Sequence, residues 1–516
     1  MFELTGKTAL ITGATGLVKK TPDTRITNVA NLPPGPFQLT NESALPYDAY
    51  AASPVHRFYQ MWQQTDCSTQ NANWMNPSGC TSDMFPWVET TVGAGSNGVA
   101  QPSNFATDYS PNAVTTGEGS TAMGFYNVST GDAPYLKTLA DQYTLLDNLH
   151  QSVMGGTGAN HIALGYADAM WYSDGKGNVA TPATNQIENP NPVAGTINWY
   201  TQDGYSGGSY TNCSDTTQPG VASIVNYLAS LSPAISPNCQ TGHYYLLNNY
   251  NPGYNGDGTS ALALSQFTIP PTSQPHIGDV LGAAGLSYAF FGEGWNIYAG
   301  ILPGTTPDSA GQNPMDAYCN ICNPFQYATD IMTVPAARAA HIGDMTGPNG
   351  FYTLLAAHNL PNVSIMQPSG FTDGHPATSK VNLWEGFVKN VIDSVKASEY
   401  WQSTAIILIF DEGGGYYDSG YIQPLDYFGD GTRMPSLIVS PYTEGGNVYH
   451  GYADHISIDK FIERNWNLPT ISGRSRDNLP NPVTSANPYI PDNSPALDDL
   501  FGAFNFDPPH HRDSIK

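Results

Sequence analysis

The chain is poor in charge. Of its 516 residues only 12% are Asp, Glu, Lys or Arg, and bases are scarcest, with 18 Lys and Arg against 43 Asp and Glu. A net charge of -25 repels nucleic acid and anionic membrane surfaces, so no nucleic-acid partner is expected. Nowhere does the sequence approach the roughly 20 consecutive apolar residues that cross a bilayer, so no transmembrane segment is expected. The N-terminus lacks a basic stretch leading into an apolar one, and no secretory signal is visible. Cysteine is sparse and clustered: Cys67 with Cys80, Cys213 with Cys239, and Cys319 with Cys322 are near neighbours for which local disulfides are expected. Cys319-Asn-Ile-Cys322 has no second Cys or His pair to complete a four-ligand zinc site, and a redox use of it stays open. Gly (52), Pro (41) and Tyr (31) are plentiful, a balance typical of exported proteins with long ordered loops, so a secreted or periplasmic location is expected.

The most informative segment is Ser403-Thr-Ala-Ile-Ile-Leu-Ile-Phe-Asp411-Glu412-Gly-Gly-Gly415, an apolar run that stops on two carboxylates and three glycines. Such a run reads as a strand buried on both faces, of the kind found in mostly parallel sheets covered by helices. Its carboxyl end is where open α/β sheets bind ligands and metals, and two adjacent acids there repel unless a proton or cation lies between them. A hard divalent metal held by Asp411 and Glu412 is the functional reading; a surface Asp-Glu pair opening a Gly-rich turn is the structural one. Further strands are expected at Tyr143–Asp147, before Gly292, at Val363–Met366 and at Pro435–Ser440. Helices are expected where Trp384, Phe387, Val388, Val391, Ile392 and Val395 mark one buried face, and around His455 to Trp466. The alternation predicts an α/β fold, a mostly parallel central sheet flanked by helices, with long loop insertions. Residues 21–505 read as one domain with a Gly/Asn/Ser/Tyr-rich insertion at about 175–275, and 506–516 as a tail.

Gly155-Gly-Thr157-Gly-Ala-Asn160-His161 precedes an apolar segment with helical character. A hydroxyl at a helix N-terminus sits where backbone N–H groups and the helix dipole favour an anion, so Thr157 is a candidate nucleophile toward phosphorus; its plainer reading is an N-cap in a glycine turn. Lys7-Thr-Ala-Leu-Ile-Thr12-Gly13-Ala-Thr-Gly16 resembles the opening of a short-chain dehydrogenase. Leu17 and Lys19 stand where that family's fingerprint needs glycine, and Tyr172 to Lys176 is bridged by a turn sequence. Residues 1–20 therefore read as a foreign or miscalled leader, with a nicotinamide-dependent oxidoreductase as the minor alternative.

Taken together, Pro54-Val-His56-Arg-Phe-Tyr-Gln, Gly155-Gly-Thr157-x-x-Asn160-His161, Gly374-His375-Pro376, Asp411-Glu412-Gly-Gly, Arg433-Met-Pro-Ser-Leu-Ile-Val-Ser440-Pro441 and Asp454-His455-x-Ser457 resemble the phosphoesterase family of bacterial phospholipases C and acid phosphatases, a branch of the alkaline-phosphatase-like superfamily. The resemblance covers most of residues 50 to 490. It implies that Thr157 is the nucleophile of a covalent phospho-enzyme, that Asp411, Glu412 and Thr157 hold a divalent metal, and that Asn160 donates to a phosphoryl oxygen. His375 and His56 would contact phosphate or protonate the leaving group, while His161 and His455 would be structural, donating to backbone or orienting neighbours. The implied substrate is a small phosphate ester or a phospholipid. The family's opening Glu-Asn-Arg-x-Phe-Asp, which completes the metal site, is absent here, so a catalytically impaired exported protein of the same fold is the alternative.

Overall fold

The computed structural model of the chain describes residues 36–42, 46–49, 51, 53–85, 88, 122–190, 208–262, 267–302, 317–376 and 378–506. The leader read at residues 1–20 and all of the tail except Phe506 lie outside them. The strands that build the site are β1 (Thr144–Leu146), β2 (Tyr288–Gly292), β3 (Ile342–Gly343), β4 (Val363–Gln367), β5 (Ile406–Leu408), β6 (Ser436–Val439) and β7 (Val448–Tyr449). The helices around them are α1 (Phe58–Thr65), α2 (Thr157–Tyr166), α3 (Ile277–Ala283), α4 (Val381–Lys396) and α5 (Ile456–Trp466).

Two sheets carry the core. One runs β4-β2-β3 and is parallel throughout; the other runs β5-β6-β1-β7. In the second, β6 is antiparallel to both β5 and β1, and β7 is parallel to β1. The expectation of one mostly parallel central sheet is therefore corrected, for the described residues, to a mixed α/β arrangement with small sheets. The cause lies in the connection from β5 to β6: a parallel return needs a crossover, usually a helix, and residues 409–435 contain none.

Alternation along the strands sorts side chains to two faces. Phe291 joins Trp384, Val388, Val391 and Val395 of α4, and the same helix covers Ile406, Leu437 and Val439 of the second sheet. Phe290, one residue earlier, points the other way and belongs to the apolar cluster that also holds Ile277 and Leu281 of α3 and Ile456 and Ile462 of α5. The i, i+3, i+4, i+7 spacing along α4 thus serves to bridge both sheets. Each such buried apolar side chain contributes about 1.5–3 kcal/mol.

The described part of the 175–275 segment includes the helix Val221–Ser230, whose Ile224 and Leu228 join Tyr245 and Leu247 in the largest apolar cluster among the described residues. The three cysteine pairs Cys67–Cys80, Cys213–Cys239 and Cys319–Cys322 are all disulfide-bonded. No helix among the described residues is long and apolar enough to cross a membrane.

Candidate active site

The helix α2 begins on Thr157 itself, and Gly156 is its N-cap. The N-cap reading of Thr157 fails, because its hydroxyl belongs to the first helical residue and is half-buried at the wall of a cavity. Gly156 leaves room for Asn249: a Cβ at this position would lie 2.8 Å from Asn249 Oδ1. That oxygen accepts the Gly158 N–H at 2.7 Å, so one of the helix's free donors is already used. The preceding Asn248 accepts the Phe58 N–H at 3.0 Å. This Asn-Asn pair, inside the segment read as an insertion, ties the Thr157 turn to the start of α1 and hence to His56.

Asn160 is fully buried and saturated. Its Oδ1 accepts the Val153 N–H at 2.9 Å, and its amide donates to the carbonyls of Val153 (3.1 Å), Gly155 (3.1 Å) and Gly156 (3.3 Å). It staples the turn that presents Thr157. Donation to a phosphoryl oxygen, the role implied by the family resemblance, would require it to surrender one of these bonds.

On the opposite wall the apolar run ends as expected, although the strand closes at Leu408 and Ile409–Phe410 continue it without pairing. His455 takes hold of this end: its Nε2–H donates to Phe410 O at 2.9 Å, and its Nδ1 accepts the Ser152 N–H at 3.2 Å. Burial pushes its pKa down to about 4, leaving it neutral and orienting. The glycines after Glu412 then fold back on the His56 loop. Gly415 has φ +74°, and a Cβ there would lie 2.4 Å from Val55 O, so only glycine lets the two loops meet.

That meeting puts His56 Nε2 3.2 Å from Glu412 Oε1, both nearly sealed from solvent. The Nδ1 of His56 lies 2.6 Å from Pro54 O and so carries the proton, leaving Nε2 as the acceptor. Burial, and then the charge of His375, push His56 down to about 4; burial, and then Asp411, raise Glu412 well above the usual carboxylate range. With His56 pushed down and Glu412 pushed up, the pair favours a neutral hydrogen bond over an ion pair when no cation is bound. Glu412 Oε2 is buried with no partner among the described residues.

Thr157, Asn160, Asp411, Glu412, His56 and His375 all line one cavity of about 1350 Å³. His56 and His375 approach with ring centroids 6.2 Å apart. His375 is held by its N–H to Asp373 Oδ1 at 2.9 Å and by Nδ1 to Pro376 O at 2.6 Å. Reading the sequence did not single out Asp373, whose carboxyl is raised by burial; its place in Thr-Asp-Gly-His, two residues before His375, was the available signal. His161 also lines the cavity, and its buried Nδ1 has no partner among the described residues, so the backbone-donor role expected of it does not hold there for that nitrogen. Burial lowers its pKa, while the nearby Asp411 opposes the shift.

For a metal, the donor set is oxygen-rich and unfinished: the unpartnered Oε2 of Glu412, the Asp411 carboxylate and the Thr157 hydroxyl suit a hard divalent cation. Among the described residues, the grouping of three possible ligands within 4.8 Å is His276, Asp279 and Asp330, which includes none of these.

Beneath the site, Arg476 is buried and donates to Asp426 (Nε to Oδ2, 2.9 Å), to Ser152 O (2.6 Å) and to Gly429 O (2.9 Å), with Asp430 at 3.4 Å and Asp454 at 3.8 Å. It locks together the segments that precede Thr157 and His455.

A glycine turn whose threonine lines the same cavity as paired acids and imidazoles, on a mixed α/β frame, defines a candidate ester-hydrolase centre. The sequence profile of the phosphoesterase family matches residues 5–469, and the chain belongs to that family. It is 28% identical over 207 residues to phospholipase C B of Mycobacterium tuberculosis (34% of this chain, 37% of that protein). It is 30% identical over 149 residues to non-specific phospholipase C1 of Arabidopsis thaliana (23% and 28%), and 27% over 334 residues to the non-hemolytic phospholipase C of Burkholderia pseudomallei (55% and 42%). The matched regions span between about a quarter and two-fifths of these relatives' own length. The crystal structure of the lipoteichoic acid synthase LtaP from Listeria monocytogenes aligns with 66% of this chain and 76% of that one, at 11% identity and a TM-score of 0.24.

Proposed function

We propose that the protein is a hydrolase of phosphoric esters that uses Thr157 as nucleophile and a divalent cation bound at Asp411, Glu412 and Thr157. One observation carries the reading: the hydroxyl, the two acids and two imidazoles line a single cavity in a member of the phosphoesterase family. The Thr157 Oγ–phosphorus bond forms as the bond to the leaving oxygen breaks, and the hydroxyl proton passes to solvent water. His375 gives the leaving oxygen a proton, and water then cleaves the phospho-threonine; the role of leaving-group donor does not suit His56, whose Nδ1–H is committed to Pro54 O. When bound, the cation lowers the hydroxyl's pKa and offsets charge on the phosphoryl oxygens. The chain's own residues supply the positioning: Asn160 and Asn249 fix the Thr157 turn, and His455 fixes the carbonyl before Asp411.

The substrate class is a small phosphate ester or a phospholipid, since the curated relatives are named phospholipases C. Three disulfides fit an oxidising, exported location. Family membership takes the place of the dehydrogenase reading. A second reading, an impaired protein of the same fold, rests on the missing Glu-Asn-Arg-x-Phe-Asp. Turnover of p-nitrophenyl phosphate and of p-nitrophenyl phosphorylcholine, with added divalent cation and with chelator, separates the two: metal-dependent turnover that Thr157→Ala abolishes supports the hydrolase, and its absence with every cation supports the impaired form.

A further inference from the structure

Outside the cavity, three side chains able to ligate a metal converge from two elements. His276 is the N-cap of α3, Asp279 stands in the first turn of that helix, and Asp330 stands in the first turn of the short helix Thr329–Met332. One ligand atom from each lies within 4.8 Å of the other two. Exposed acids near each other signify little, but His276 sets this group apart. It is 1% exposed, and its buried Nε2 has no hydrogen-bond partner among the described residues although it faces both carboxylates. A sealed, unpaired imidazole nitrogen is costly unless something else binds it.

The distances fit a bridging cation better than a direct ion pair. Nε2 of His276 lies 3.6 Å from Asp330 Oδ2 and 3.9 Å from Asp279 Oδ2. Where imidazole and carboxylate meet directly in this molecule, in His450 with Asp147 and in His358 with Glu399, they close to 2.8 Å. The side chains of Asp279 and Asp330 are 47% and 59% exposed, yet neither closes on the nitrogen. A tetrahedral ion bonded to nitrogen and oxygen holds its ligand atoms roughly 3.4 Å apart, close to the gaps seen here. The nitrogen is also held in place: the ring sits between Tyr166 and Phe325, with centroids 5.7 and 5.5 Å away, and the His276 N–H donates to Asp279 Oδ2 at 2.9 Å. Neither acid has a Lys or Arg partner among the described residues. Two short helices present their positive ends here, but two full negative charges outweigh partial charges that fade within a turn.

We infer that His276 Nε2, Asp279 and Asp330 form a binding site for a zinc-type divalent cation, completed by solvent on the exposed side of the two acids. The imidazole in the set selects Zn2+ over Mg2+ and Ca2+, which take oxygen ligands. The site shares no residue with the cation proposed at Asp411, Glu412 and Thr157, and does not depend on that reading. Its ion ties the start of α3 to Thr329–Met332. Ile277 and Leu281 of α3 line the active cavity, as does Phe325, which packs on the His276 ring. The ion therefore braces one wall of the cavity from outside and touches no reacting atom.

Equilibrium dialysis of the full chain against Zn2+ tests this, with Asp411→Asn and Glu412→Gln combined to remove the other site. That protein is expected to bind Zn2+ at the His276 site, and adding Asp330→Asn, a change at an exposed position, is expected to weaken this binding at least about 10-fold. Mg2+ at the same concentration as Zn2+ is expected not to displace it. Equal zinc affinity with and without Asp330→Asn, or displacement by Mg2+, overturns the proposal. Should the combined variant not fold, the wild type decides: it is expected to hold one more Zn2+ per chain than Asp330→Asn alone, and equal stoichiometry overturns it.

Discussion

His56 Nε2 lies 3.2 Å from Glu412 Oε1, with Nδ1–H of His56 committed to Pro54 O, while burial, and then Asp411, raise the Glu412 carboxyl well above the usual carboxylate range. Because the folded pKa of Glu412 lies above its ordinary 4.5, the native state keeps a proton that the unfolded chain releases. Stability of the metal-free protein therefore falls as pH rises above that value. Glu412→Gln keeps the shape and the donor and removes the titration. In chelator it should be more stable than the wild type at pH 8, and equal to it near pH 4. Urea unfolding at the two pH values checks this, and adding a divalent cation should favour the wild type.

Acid acts through the histidines. His56, His150 and His455 each titrate near 4 because burial disfavours the imidazolium. Between that value and the ordinary 6.5 the unfolded chain binds more protons than the native one, so stability present above pH 6.5 is lost as pH falls toward 4. Each group accounts for at most roughly 3 kcal/mol. His150→Gln should visibly flatten the fall in unfolding free energy between pH 7 and pH 4.5; an unchanged slope would contradict the assignment.

Thr157 and Asn160 should separate chemistry from architecture. Thr157→Ala is expected to lose phosphoesterase turnover by about 1000-fold or more while shifting stability by no more than about 0.5 kcal/mol, because the hydroxyl supports no cap. Asn160→Ala strands several buried carbonyls and should cost about 2–4 kcal/mol, with activity falling as the turn loosens. Thermal unfolding alongside steady-state kinetics distinguishes the two.

Arg476 holds three carboxylates and two carbonyls beneath the site. Arg476→Met leaves those acids buried without their cation, and should destabilise the fold by about 3–5 kcal/mol. Arg476→Met combined with Asp426→Asn should recover part of the loss in urea titrations, since the couplings are shared.

Much of the site was legible in the sequence because its chemistry sits at the ends of regular elements. The apolar run to Asp411 and the glycine turn before α2 announce themselves through periodicity and composition, and α4 shows its buried face in the spacing from Trp384 to Val395. The antiparallel placement of β6 was not legible, since strand direction depends on the path of residues 409–435 and not on any residue of the strand. Asn248 and Asn249 were missed for a similar reason: their amides act on Phe58 and Gly158, partners about 190 and 91 positions away. The saturation of Asn160 is likewise a property of the turn it closes, which a motif does not display.

Acid-quenching the protein during turnover of p-nitrophenyl phosphate, followed by peptide mass spectrometry, tests the central claim most directly. The account predicts a phosphoryl group on Thr157, absent from Thr157→Ala. Turnover in the Thr157→Ala protein at the wild-type rate, or a phosphoryl group on any other residue, would contradict it.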